Sequence, residues 1–214
     1  MNHIKVYVVE DDPDWIKAIT SYLNREEDIL VVGAATNADD AVRGAQMTQI
    51  DIILMDIQLA GSRLDGIQTA MELHGLTSAK IIMLTSLNDE QSMTKAFTAG
   101  AIQYLEKTQF KELPLSIRNA HLYPAPMEAL LKEFARLKRE EQLKDLTPAE
   151  REVFELIETG HTQSQIEQKL YKAESTLKNQ VNKMLKKFGV KSSKEAIEKV
   201  KKRGLMDESE GNKN

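Results

Sequence analysis

Five short runs of apolar residues, Ile4–Val9, Ile29–Val32, Ile52–Met55, Lys80–Leu84 and Ile102–Leu105, alternate with segments of helical spacing across the first 121 residues. Most of these runs are rich in β-branched residues and show little polar alternation. A strand with one wet face alternates apolar and polar positions, so such runs read as strands covered on both faces. The segments between them, Trp15–Leu23, Ala38–Gln46, Gly66–Leu73, Asp89–Ala99 and Leu113–His121, read as helices. Five β/α repeats predict an α/β fold over residues 1–121, a five-stranded parallel sheet with helices on both sides.

All five prolines fall at points of punctuation. Pro13 and Pro148 open helices, Pro114 sits in a first turn, and Pro124 and Pro126 end the last repeat. Residues 122–145 form a linker, with apolar residues at 127, 130, 131, 134 and 137 that predict a helix. Two readings of that helix stay open, a connector lying on one of its own domains or a short dimer seam. Residues 146–206 are helical by signal. Thr147-Pro148-Ala149-Glu150 is a capping box with proline at the first helical position, and Gly160 ends that helix. Further helices are expected at Gln163–Leu170, Glu174–Phe188 and Lys194–Lys202, giving an all-α four-helix domain. Residues 207–214 are expected to be a disordered tail.

The net charge of −4 conceals an asymmetry: residues 1–121 carry −7, residues 122–145 balance, and residues 146–206 carry +5. The chain has no cysteine, which excludes disulfides, cysteine-ligated metal centres and cysteine nucleophiles. The start is not a basic segment followed by an apolar core, and no apolar run approaches ~18 residues, so a soluble, cytoplasmic protein with no membrane partner is expected.

In an open parallel sheet, ligands bind beyond the carboxyl ends of the strands. Those positions hold Glu10, Asp11 and Asp12, then Asp56, then Thr85 and Ser86, then Lys107. Converging carboxylates repel one another unless a hard cation neutralises them, and an oxygen-rich site suits Mg²⁺. A carboxylate can also attack phosphorus while a lysine and Mg²⁺ neutralise the phosphoryl oxygens. Asp56 ends the apolar run Ile52–Met55 and is the best nucleophile candidate; Asp12, beside Pro13, reads as a helix cap.

Val8-Val9-Glu10-Asp11, Leu54-Met55-Asp56-Ile57, Met83-Leu84-Thr85-Ser86 and Tyr104-Leu105-Glu106-Lys107 together resemble the receiver domain of bacterial two-component response regulators. The resemblance spans residues 1–121 and implies a flavodoxin-like fold. It implies that Asp56 accepts the phosphoryl group and that Glu10, Asp11, Asp56 and the backbone carbonyl of Gln58 hold Mg²⁺. Thr85 and Tyr104 would be the switch pair and Lys107 the phosphate-binding lysine. The loop after Asp56 is longer than usual, with Ala60 where proline is common, and Thr108 likewise replaces a proline.

The apolar stripe Leu177, Val181, Met184, Leu185 and Phe188 of the third C-terminal helix predicts that Lys178, Asn179, Asn182, Lys183, Lys186 and Lys187 point outward. A basic, amide-bearing face of this kind suits major-groove reading, although a lysine-rich face can also be merely solvated. Leu146–Val153, Gly160–Ile166, Leu170, Glu174–Val181 and Leu185–Val190 resemble the LuxR-type helix-turn-helix. Joined in this order, the two domains are similar to the NarL/FixJ class. The resemblance puts Lys178, Asn179, Asn182 and Lys183 on the DNA-reading face and Thr176 and Gln180 near phosphates. Three departures stand out. Glu167 replaces a small alanine, which predicts an altered helix angle. Ala173 replaces a serine cap worth about 0.5–2 kcal/mol unless Ser175 substitutes. Gln180 replaces a common histidine.

The resemblance therefore implies a transcription regulator phosphorylated on Asp56 by a sensor histidine kinase. Its other partners would be double-stranded DNA, a second copy after phosphorylation, and RNA polymerase. Beyond phosphoryl chemistry at Asp56 it would not be an enzyme. The alternative is a receiver-controlled interaction module whose helical end binds protein. An aspartate-nucleophile phosphatase is a weak third reading, because such enzymes use a second acid where Gln58 stands.

Overall fold

The apolar runs become strands β1 (Ile4–Val9), β2 (Ile29–Ala35), β3 (Ile52–Asp56), β4 (Lys80–Thr85) and β5 (Gln103–Glu106), joined in one all-parallel sheet of order β2-β1-β3-β4-β5. The computed structural model describes residues 3–59, 65–86 and 90–202, in two compact units, 1–134 and 135–214. The tail 207–214, Ala60 in the long loop and the expected helix start at Asp89 lie outside the described residues.

In the first unit, helices α1 (Pro13–Leu23), α2 (Ala38–Met47), α3 (Asp65–Leu76), α4 (Glu90–Thr98) and α5 (Leu113–Leu122) cover the sheet. Alternate strand residues go to opposite faces. Val6, Val8, Ile52, Leu54, Ile82 and Leu84 pack in one cluster with Ile19 and Leu23 of α1 and Leu113 and Ile117 of α5. The residues between them, Tyr7, Val9, Ile53, Met55, Ile81 and Met83, are also buried, as the absence of polar alternation requires. Asp12 caps α1 as expected, accepting from the Asp14 and Trp15 amides.

β2 runs three residues beyond the expected Val32. Gly33-Ala34-Ala35 has little strand preference of its own, and pairing with Tyr7, Val8 and Val9 of β1 supplies it. Tertiary fit also explains Gly33, since a Cβ there would stand 2.7 Å from the Tyr7 ring.

Helix α6 (Ala125–Leu143) contributes Met127 and Leu131 to the first unit's core and Leu143 to that of the second. Leu130 and Leu137 of the same helix are exposed. The second unit contains α7 (Pro148–Glu158), α8 (Gln163–Leu170), α9 (Glu174–Phe188) and α10 (Ser193–Lys201). Its core joins Phe154, Met184, Phe188, Ala196 and Val200, with Val153, Ile166 and Leu177 beside them. Two bidentate arginine pairs, Arg139 with Glu158 and Arg151 with Glu140, tie the C-terminal half of α6 to α7. No helix among the described residues is long and apolar enough to cross a membrane.

Candidate functional site

The strand order reverses between β1 and β3, and the crevice at such a reversal lies outside the strands' carboxyl ends. Glu10 follows β1, Asp56 ends β3, Thr85 ends β4, and Lys107 opens the 3-10 turn Lys107–Glu112 after β5. Glu10, Asp56 and Thr85 are buried, and Asp11 is more open. Carboxylate oxygens of Glu10, Asp11 and Asp56 lie within 4.8 Å of one another. Lys107 Nζ sits 2.6 Å from Glu10 Oε2 and donates to Asp56 Oδ2 at 2.9 Å. The other Asp56 oxygen, Oδ1, accepts from the Gln58 amide at 3.2 Å. Tyr104 is half-buried on β5, paired in register with Met83 of β4.

Burial raises the Glu10 carboxyl from 4.5 to about 7, helped by the Asp56 charge and opposed by Lys107. Burial works against the Lys107 ammonium, but its bonds to Glu10 and Asp56 outweigh this and hold it above the ordinary lysine value. One ammonium therefore serves two buried carboxylates. Glu10 Oε2 is out of solvent, and the Lys107 ammonium is its one neighbour of opposite charge. An all-oxygen donor set of three carboxylates, two of them buried and sharing one ammonium, fits a hard divalent cation such as Mg²⁺.

A pH dependence follows. With its folded value near 7 and its unfolded value near 4.5, Glu10 binds its proton more tightly in the folded chain. Its stabilising contribution is full below about 4.5 and is lost as pH rises through about 7. A cation needs the carboxylate form, so protons compete with it. The rise in melting temperature caused by Mg²⁺ should be larger at pH 8 than at pH 6; an equal or larger rise at pH 6 would contradict this origin.

Two further residues, with no role evident in the sequence, shape the pocket. The Lys107 ammonium lies over the Trp15 ring, 5.6 Å from its centroid, and Trp15 meets Phe110 edge-on. The only signal was that the single tryptophan falls in the first turn after the acidic pair. The second is Gly66. Its amide donates to the Ile57 carbonyl at 3.1 Å, and a Cβ there would overlap the Asp56 carbonyl oxygen. Gly66→Ala should cost about 1–3 kcal/mol through this clash and weaken Mg²⁺ binding, both measurable by thermal unfolding with and without the ion. An unchanged melting temperature would show that α3 can shift freely.

In the second unit, Leu177, Met184 and Phe188 turn the apolar side of α9 inward. Thr176, Lys178, Asn179, Asn182 and Lys183 are exposed. Gln180 departs from this set: it is half-buried, and its Oε1 is out of solvent with no hydrogen-bond partner. Lys187 is exposed, as expected, and also donates to Glu150 Oε2 at 2.6 Å, within the capping box of α7. Ala173 is the N-cap of α9 and, as expected, supplies no side-chain cap; Ser175 does not replace it. Glu167 is half-buried and accepts from Gln163 Nε2 along its own helix at 3.0 Å.

The family described as response regulator receiver domain matches residues 6–118, and bacterial regulatory proteins of the luxR family match residues 144–200. The chain is 34% identical to the transcriptional regulatory protein DesR of Bacillus subtilis over 207 residues, covering 94% of this chain and 98% of DesR. It is 30% identical to the response regulator VraR of Staphylococcus epidermidis over 199 residues, covering 91% and 94%. Its fold resembles that of RcsB from Salmonella typhimurium, with TM-score 0.52, 22% identity and coverage of 92% and 98%. The chain belongs to the two-component response regulators of the NarL/FixJ class, transcription regulators that join a receiver domain to a LuxR-type DNA-binding domain.

Proposed function

We propose that Asp56 accepts a phosphoryl group from a phosphohistidine of a sensor kinase and that the acyl phosphate controls DNA binding. The observation that carries this reading is the convergence of Glu10, Asp11 and Asp56 within 4.8 Å, with Lys107 bridging the two buried acids. An Asp56 carboxylate oxygen attacks phosphorus, the N–P bond of the donor breaks, and its electron pair returns to the imidazole. Lys107, already held by Asp56, neutralises phosphoryl oxygens as they arrive. Glu10, Asp11, Asp56 and the Gln58 carbonyl would hold Mg²⁺, which supplies charge neutralisation at the same oxygens.

Thr85 and Tyr104 form the switch pair in this reading. The Thr85 hydroxyl moves to the phosphoryl group, and Tyr104 follows inward from its half-buried position. A small energy gap between two arrangements suffices for such a switch. The phosphorylated form pairs with a second copy, which sets two α9 helices about one DNA turn apart, ~10 bp. Lys178, Asn179 and Asn182 then face base edges, Lys183 lies on the same DNA-binding face, and Thr176 and Gln180 are toward phosphates. RNA polymerase is the downstream partner, and the cytoplasm is the compartment where kinase and DNA are both within reach. Residues 1–121, 122–145 and 146–206 serve as receiver, linker and DNA-binding domain.

A second reading has the helical unit bind a protein, favoured by the uncapped start of α9 and the partial burial of Gln180. The two are separated by salt dependence, and the phosphoryl site is tested by labelling wild type beside Asp56→Asn.

A further inference from the structure

Tyr171 ends α8 in the left-handed conformation, φ 52° and ψ 41°, and is the only described non-glycine residue with positive φ. Its amide turns back to the Glu167 and Gln168 carbonyls, and the Lys172 amide donates to Glu167 at 3.0 Å, closing the helix. Glycine suits such a cap; a side chain with a Cβ is penalised there. Burial does not repay that penalty, since Tyr171 is 97% exposed. Neither local conformation nor packing within the unit accounts for a tyrosine at this position, and residues kept in sparsely populated conformations collect at functional sites.

Placement narrows the role. Tyr171 stands two residues before Ala173, the N-cap of α9. When a recognition helix enters the major groove with its N-terminal residues on base edges, the chain just before it lies at the groove's edge, where phosphates run. Residues 146–206 carry +5, so an anionic partner is electrostatically favoured. Tyrosine hydroxyls donate to phosphate oxygens, and such contacts position a protein without reading sequence.

We propose that the Tyr171 hydroxyl donates a hydrogen bond to a backbone phosphate of duplex DNA at the edge of the groove entered by α9. This rests on the DNA-binding reading above. Because the donor is neutral, the contact adds affinity without releasing a counterion to a cationic side chain.

The test is fluorescence anisotropy of the full chain with a labelled random-sequence 30-bp duplex across a salt series, for wild type, Tyr171→Phe and Tyr171→Gly. Both variants should bind about tenfold more weakly, with the slope of affinity against salt unchanged. Tyr171→Gly should melt no lower than wild type, since glycine relieves the left-handed cap, so weak binding by that variant is not misfolding. If wild type binds and either variant binds equally well, or if the salt slope falls, the phosphate contact is wrong while the DNA reading stands. If wild type shows no salt-dependent binding, both fall together.

Discussion

Asp56→Asn takes up no phosphoryl group when supplied with a small phosphodonor and Mg²⁺, whereas wild type becomes an acid-stable, alkali-labile phosphoprotein. The expected effect is all-or-none because an amide is no nucleophile toward phosphorus, while the space the side chain fills changes little. Asp56 is buried, and its two oxygens are already separated in role: Oδ2 is held by Lys107 and Oδ1 by the Gln58 amide. The substitution also removes one of two acids that share the Lys107 ammonium. Less repulsion then falls on Glu10, whose elevated value comes from burial first and from Asp56 as a further contribution. With one carboxylate fewer in the oxygen set, the variant should gain less melting temperature from Mg²⁺ than wild type. Phosphoprotein formation in Asp56→Asn would place the acceptor elsewhere.

Lys178→Ala should weaken DNA binding by about 1–3 kcal/mol, with the form of the loss revealing the contact. Lys178 is exposed one residue after Leu177, which is buried, so its side chain leaves the helix on the open face. If it meets a phosphate, affinity falls for every duplex alike and the salt slope drops by about one. If it pairs with guanine, discrimination at one position relaxes as well. Lys187 makes the useful contrast. It lies on the same helix but donates to Glu150, so Lys187→Ala should act chiefly on the start of α7. Binding by Lys178→Ala indistinguishable from wild type would favour the protein-binding reading of the helical unit.

The parts of this molecule visible in the sequence are those set by local pattern. Strands β1, β3 and β4 are buried on both faces, so their apolar runs carried the signal unaided. The capping box at Thr147 and Glu150 marked the start of α7 for the same reason: its bonds close within one turn. What escaped depends on distant partners. The last residues of β2 are strand because β1 pairs with them. The turn Lys107–Glu112 holds no buried residue and so showed no periodicity. Lys187 looked like its neighbours until Glu150, 37 residues earlier in the chain, was brought beside it. The converging acids were legible because a parallel sheet puts every strand's carboxyl end on one edge. The contact of Lys107 with Trp15 was not, because nothing in the sequence says that a helix and a turn so far apart share a wall.

In the proposed function, chemistry at Asp56 governs DNA occupancy. Mapping bound DNA across the genome for wild type and Asp56→Asn side by side, under conditions that activate the kinase, tests both halves at once. The prediction is a set of discrete wild-type sites whose half-sites are about one DNA turn apart, with occupancy lost in Asp56→Asn. Equal occupancy in both would contradict control by Asp56, and an absence of discrete sites in wild type would contradict a DNA-binding role for α9.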